Sequence, residues 1–349
     1  MDERNRIIRR NRKKRKKKRL LLGCSVFFLI LLGVGGFLFY NVYQAANNSF
    51  SALDRGEHSK LREESVAIGK DPINILIMGI EDYSSGGAHG RTDSLMVASV
   101  NPDKNSIKML SIPRDTYVDI KGHGQTKINH AHAYGGKELT IETVEELLDV
   151  PIDYYATVNF KGFKDVIDEL GGVTVDVPFD FSEVSDGEAG SNKHKIYFKE
   201  GEMTLDGQEA LAYVRMRKQD PRGDFGRSER QKQVIQAAIK ESASVSTLLN
   251  FSDIAKHIGD NVETNLSVRE MYTLKNKYGN KKIDSLTLEG VDDTINGVYY
   301  FVPTEEGLAN IQNELKMQLG QEVSASETTN TETDSSESDA SDYSEETQN

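Results

Sequence analysis

Twenty-one consecutive uncharged residues, Leu20 to Tyr40, follow directly on a 19-residue arm that carries 12 Lys/Arg and 2 Asp/Glu. As a helix, a run of that length crosses the ~30 Å hydrocarbon core of a bilayer. Basic residues ahead of an apolar span stay on the cytoplasmic side. The pair therefore predicts a single-pass type II protein of the cell membrane, with 1–19 inside and 41–349 outside. A cleaved signal peptide has a shorter apolar region and ends at a small-residue site. This run ends instead in Phe37-Leu38-Phe39-Tyr40, aromatics suited to the outer interface. Leu21-Leu22-Gly23-Cys24 has the outline of a lipoprotein box, but no apolar region precedes it. A basic arm alone would suggest nucleic acid; beside a membrane span it is a topology signal. Beyond the arm the balance reverses to a net of −22, which argues against a nucleic-acid partner. The single Cys excludes a disulfide framework and a Cys-rich zinc site.

Residues 41–70 are polar and read as a juxtamembrane stalk, and 71–319 as one extracellular α/β domain with a mostly buried central sheet. Short apolar runs at Ile73–Ile80, Ser94–Val100 and Ser106–Ile112 predict buried strands. Charged groups stand at their ends, as in a site built along one sheet edge. Further strands are expected at Tyr154–Val158 and Val173–Val177, with Ser285–Leu288 and Val298–Val302 in the same sheet. Lys127–Gly136 reads as a short helix stopped by Gly, and Leu139–Leu148 as an acidic helix with Thr140 or Thr143 to cap it. Phe160–Leu170, Arg227–Ser242 and Thr304–Leu319 read as helices. Residues 320–349 are rich in Ser, Thr and acid and cannot bury a core.

Five arginines (Arg215, Arg217, Arg222, Arg227, Arg230) fall between Tyr213 and Gln231 of an otherwise acidic domain. Arg presents a planar fork that grips phosphate oxygens bidentately. Arg215 and Arg217 share a face if their segment is extended and diverge if it is helical. Pro221-Arg222-Gly223-Asp224-Phe225-Gly226 reads as a turn. Arg227 then falls in the first helical turn, where a cation is unfavourable unless an anion joins it. Arg227 and Gln231 point the same way. The stretch reads as a phosphate or diphosphate clamp, with a solvated loop as the rival that accounts for Arg222 and Arg230.

Glu81, Asp82 and Asp93 stand at neighbouring strand ends and would suit Mg2+, which takes few carboxylates plus phosphate oxygens and water. Arg91 and Arg114 stand at matching positions. His130 and His132, at i,i+2, do not share a helix face, so zinc is not supported; Asn129 and His130 read as hydrogen-bonded walls of the site. Serine-hydrolase, P-loop and zincin patterns are absent. Asp115 is the candidate general base. The apolar faces of the helices at 160–170 and 227–242 either line a groove for an apolar chain or form the core.

Gly90-Arg91-Thr92-Asp93-Ser94, Ser111-Ile112-Pro113-Arg114-Asp115-Thr116, Lys127-Ile128-Asn129-His130-Ala131, and Arg215-x-Arg217 through Gly226-Arg227-x-x-Arg230-Gln231 together resemble the LytR-CpsA-Psr family of bacterial cell-envelope proteins. The resemblance covers about residues 71–242 and the single-span topology. It implies an α/β sandwich whose interior groove holds a polyprenyl chain. It implies transfer of an anionic glycopolymer, of teichoic acid or capsule type, from a polyprenyl-pyrophosphate carrier to peptidoglycan. Arg91, Arg114, Arg215, Arg217 and Arg227 match the diphosphate-gripping arginines, with Gln231 alongside. Lys127 and Asn129 join the substrate wall. Asp93 matches one carboxylate of the family's Mg2+ site, for which Mn2+ is a substitute; the other position falls on Glu81, with Asp82 beside it. A polyprenyl-pyrophosphate pyrophosphatase and a non-catalytic membrane regulator of envelope genes are the rival readings.

Overall fold

Ile73-Asn74-Ile75-Leu76-Ile77-Met78-Gly79-Ile80 is apolar on both sides of its pleat because both faces are covered. The computed structural model describes residues 50–56, 58–81, 90–186, 194–241 and 261–321. The basic arm, the expected span at 20–40 and nearly all of the acidic tail lie outside the described residues. Among the described residues, no helix is long and apolar enough to cross a membrane.

The chain runs β1 (Ile73–Ile80), β2 (Thr92–Asn101), β3 (Ser106–Ser111), the hairpin β4 (Tyr117–Ile120) and β5 (Gly124–Lys127), α1 (His130–Leu148), β6 (Tyr154–Asn159) and α2 (Phe160–Glu169). It continues through β7 (Val173–Val177), β8 (Phe181–Val184), β9 (Lys195–Phe198), β10 (Gly201–Leu205), α3 (Gly207–Arg215) and α4 (Asp224–Glu241). Last come β11 (Val262–Thr264), α5 (Val268–Tyr278), β12 (Ile283–Thr287), β13 (Gly290–Ile295), β14 (Val298–Pro303) and α6 (Glu305–Gln318).

The central sheet has the order β11-β6-β1-β2-β3-β12. It is mixed: β1 and β6, and β3 and β12, are parallel, and the other pairs antiparallel. Period-two alternation divides its side chains. Leu76, Met78, Leu95, Val97 and Leu110 pack under α1 and α6. Ile75, Met96, Ala98, Ile107 and Met109 face Ile235 and Ile239 of α4 and Met271 and Leu274 of α5. The first face is closed, with Leu76, Val97 and Leu110 fully buried, each contributing ~2 kcal/mol. The second is less sealed: Ile77, Ile235, Ile239, Met271 and Leu274 remain partly exposed. A third cluster joins α2 and α3 to the β7–β10 lobe.

Several expectations need correction. Residues 50–70 are not only a stalk. Leu53 is buried in the core under the sheet, and Arg62 donates two hydrogen bonds to the buried Asp153, at 2.9 and 2.8 Å. Val298–Pro303 does not join the central sheet. It forms a ladder with β13, plus a single bridge from Phe301 to Thr116, across an Asn296-Gly297 turn in which both residues have positive φ, 52° and 77°, the signature of a tight two-residue hairpin. The two helices expected on either side of Gly135-Gly136 are both present as the two halves of α1, broken where those glycines leave helical geometry. Thr140 and Thr143 do not cap it; each hydroxyl donates to the carbonyl four residues back. The apolar face of α2 forms core rather than groove, since Phe160 and Ile167 pack into the third cluster. α4 wedges between two clusters, Val234 and Ala237 on one side, Ile235 and Ile239 on the other.

Candidate active site

Arg230 sets the shape of the arginine stretch. It is 1% exposed and ion-paired with the fully buried Asp220. Its Nε donates to the Tyr213 carbonyl at 3.1 Å, and its Nη2 to the Met216 carbonyl. One guanidinium thus ties α4 to the end of α3 and to the loop between them. Gly226 is required here, because a Cβ would fall inside the Asp220 carboxylate. Burial would raise the Asp220 carboxyl, but hydrogen bonds from the Arg222 backbone and the Arg230 side chain outweigh it and hold the group below the usual carboxylate range. The solvated-loop reading of Arg230 is therefore wrong. Asp220 is a structural residue that motif reading passed over.

With the loop braced, α4 begins at Asp224, one turn before Ser228. Asp224 is the anion that the first turn needed. Its Oδ1 lies 3.0 Å from Arg217 Nε and 3.1 Å from Arg227 Nη2. Arg227 is 9% exposed. Burial pushes its guanidinium down, and nearby Arg114 and Arg217 push the same way. Three cations therefore converge on one spot. Arg227 Nε and Arg114 Nε are buried donors without a hydrogen-bond partner. Unfilled buried donors of this kind are costly unless an anion completes them.

Arg114 reaches the site from the end of β3 and donates to Asp93 Oδ1 at 2.8 Å. Burial would lower its guanidinium, but Asp93 beside it holds it above its ordinary value. Asp93 is aimed by an irregularity: Gly79 pairs with Ser94 and Ile80 with Thr92, so Asp93 has no residue opposite. Such bulges turn one side chain away from the ladder. Glu81 is at the same sheet end, its N–H donating to the Arg91 carbonyl at 3.2 Å. Gly90 must be Gly, because a Cβ would collide with the Glu81 carbonyl oxygen. Asp82 lies outside the described residues. Among the described residues, no group of three His, Cys, Asp or Glu side chains is arranged to hold a metal. Glu81 and Asp93 thus form no all-protein cage, but they fit a Mg2+ that draws its other ligands from phosphate and water.

Asp115 is 6% exposed. It accepts from Lys127 Nζ at 2.7 Å and lies 3.7 Å from Arg114 Nε. The β13–β14 hairpin docks here through the Phe301 N–H, which donates to the Asp115 carbonyl at 3.0 Å. It places the Tyr299 and Tyr300 rings within 5.7 and 5.6 Å of Lys127 Nζ. These tyrosines are site residues that motif reading missed. Asn129 is buried with an unpaired Oδ1, and its backbone N–H donates to the Arg114 carbonyl at 3.2 Å. His130 Nδ1 is 3.0 Å from Thr126 Oγ1. Burial, with Arg91 and Lys127 nearby, pushes its imidazolium down. Gln231 meets Ser94 Oγ at 3.1 Å, tying α4 to the strand that carries Asp93.

Two predicted residues stand apart. Arg215 ends α3, so it diverges from Arg217; it is exposed and lies over the Phe160 ring at 5.4 Å. Arg91 is exposed, and its charge is felt by His130.

A mixed sheet sandwiched by helices, with a convergent arginine cluster and two carboxylates at one sheet end, defines a protein that receives a polyanion at the edge of an apolar core. The chain belongs to the LytR_cpsA_psr family, whose model matches residues 36–317. It is 48% identical over 299 residues to the polyisoprenyl-teichoic acid–peptidoglycan teichoic acid transferase TagV of Bacillus subtilis (strain 168), covering 83% of this chain and 76% of that protein. The crystal structure of B. subtilis TagV superposes with a TM-score of 0.64, covering 73% of this chain and 99% of that one. A LytR-CPS2A-psr family protein, YwtF (TagT), solved with bound octaprenyl pyrophosphate lipid, is 35% identical with a TM-score of 0.61, covering 77% of this chain and 99% of that one.

Proposed function

We propose that this protein transfers a teichoic-acid-type glycopolymer from a polyprenyl-pyrophosphate carrier to a peptidoglycan sugar hydroxyl, releasing polyprenyl phosphate. The observation that carries this reading is the convergence of Arg114, Arg217 and Arg227 on one spot, with two buried guanidinium donors unfilled. A diphosphate supplies the acceptor oxygens those donors lack. The relatives named as transferases, and the one solved with octaprenyl pyrophosphate, support the same substrate class. The less sealed sheet face under α4 and α5 supports a seat for the apolar chain. Gln231 on α4 lies between that face and the clamp.

In this reading the acceptor hydroxyl attacks the phosphorus that bears the glycan. Its proton passes to Asp115, whose carboxylate is held by Lys127. The phosphoanhydride bond breaks and the polyprenyl phosphate leaves with the electron pair. Arg114, Arg217 and Arg227 stabilise the charge that grows on the bridging and non-bridging oxygens. Glu81 and Asp93 would hold Mg2+, which supplies further charge neutralisation of the phosphates when bound.

The test is incubation of the full-length enzyme with a lipid-diphosphate glycan, with and without peptidoglycan, over a Mg2+ series. Glycan on peptidoglycan, with a Mg2+ response that Asp93→Ala loses, is the expected result. Release of free glycan without peptidoglycan would make it a pyrophosphatase, and no turnover a regulator. Full Mg2+ dependence in Asp93→Ala would remove that residue from the metal site. The same reading places the domain outside the cell on a single anchor, as the +10 arm before an uncharged 21-residue run requires. External protease on intact protoplasts then leaves only a small membrane fragment; full protection would reverse the topology.

A further inference from the structure

A cleft of about 400 Å³ opens beside the clamp, between the first half of α4 and the β12–β14 end of the domain. Arg217 lies on its wall, so cleft and clamp are continuous. Phe225 is 53% exposed. Tyr299 lines the same cleft, and its hydroxyl donates to Asp292 at 2.8 Å. Ser285 and Thr287 add hydroxyls. Aromatic rings beside hydroxyls and carboxylates are the surface that sugars require, with apolar ring faces for their C–H groups and polar edges for their hydroxyls.

Lys232 does not fit a plain protein wall. It lines the cleft and is 6% exposed, yet among the described residues it forms no hydrogen bond or ion pair. The exposed Glu229 is the carboxylate that its charge feels. Burial pushes its ammonium below the ordinary lysine range. Its stem is covered while the ammonium keeps contact with solvent, so a charge already stripped of part of its water waits without a protein partner for an anion to pair with it.

We infer that this cleft is a second saccharide subsite, in which the rings of Phe225 and Tyr299 pack on sugar faces and Lys232 receives an anionic group carried by the same glycan. This rests on the transferase reading above. Two substrates offer that chemistry: the acceptor glycan strand, through its carboxylates, and the donor polymer, through the phosphate beyond the reacting diphosphate.

Lys232→Met keeps length and removes charge. In the full-length enzyme it should melt no lower than wild type, because a partly desolvated charge is removed and no ion pair is lost. It should raise KM about tenfold, the size of one charge-assisted hydrogen bond, for one substrate, with kcat little changed. Lys232→Arg should restore much of that loss. Varying donor and acceptor separately names the source: a rise in acceptor KM assigns the cleft to peptidoglycan, and a rise in donor KM to the polymer. Unchanged KM for both, or a melting point several degrees lower, would overturn the subsite, since Lys232 would then serve the fold. If wild type transfers nothing, the transferase reading fails by itself. Calorimetric titration with soluble muropeptide and polyol-phosphate oligomers then decides the subsite: binding by wild type and not by Lys232→Met keeps it, and equal or absent binding ends it.

Discussion

Arg217→Ala should lower glycan transfer by about 10²-fold, equivalent to about 3 kcal/mol of transition-state stabilisation. Asp224 holds Arg217 and Arg227 through one carboxylate oxygen, at 3.0 and 3.1 Å, so both forks are set before substrate arrives. Negative charge grows on the phosphate oxygens only as the anhydride breaks. Donors aimed there act mostly in the transition state, and the loss should fall on kcat more than on KM. Arg217→Lys should not rescue, because a point charge cannot reproduce a bidentate fork. Lys161→Ala is the control. That lysine is 58% exposed and pairs only within its own helix with Asp165, so its removal should change stability by less than ~0.5 kcal/mol. Wild-type transfer by a folded Arg217→Ala enzyme would remove Arg217 from the clamp.

The largest effect on stability should come from Asp220→Ala. It strands the Arg230 guanidinium, 1% exposed, without its counter-ion. Breaking a buried pair from one side costs about 4 kcal/mol, which is roughly 10 °C of melting temperature for a domain of this size. Replacing both partners with apolar residues, Asp220→Leu with Arg230→Met, should recover part of that loss, because no charge then remains buried. The pH dependence follows from the same pair. Asp220 is held below the ordinary carboxylate range when folded, so its contribution is present above the unfolded value. That contribution is lost as pH falls through the lower folded value. Thermal melts from neutral to strongly acidic pH should show wild type losing stability at the acid end, while Asp220→Ala lacks this component. Equal melting temperatures for wild type and Asp220→Ala at neutral pH would end the brace.

The three central strands were legible because burial on both faces leaves an almost unbroken apolar run, as in β1. The arginine stretch was legible because Arg in an acidic domain needs a partner anion. Of the β13–β14 hairpin only the strand at Val298–Val302 was read; its Asn296-Gly297 turn was missed, and local pattern could not say that the hairpin leaves the central sheet. What separates a joined strand from a lone hairpin is which edge is free, and neighbours distant in sequence decide that.

The site divides along the same line. Sequence by itself determined the residue chemistry: forked cations at Arg114, Arg217 and Arg227, and carboxylates at Glu81 and Asp93. It also determined the charge asymmetry around the apolar run at 20–40. Tertiary structure alone decided which arginines meet. Arg230, for which a solvated loop was the rival to the clamp, is the buried brace; Arg215, read as part of the clamp, lies over Phe160. It alone brought Tyr299 and Tyr300 to Lys127, and turned Asp93 out of the ladder through a one-residue bulge. The physical reason is that spacing along a chain sets direction only within one helix or strand. Proximity across elements is set by packing and register, in which one extra residue turns a side chain to the other face.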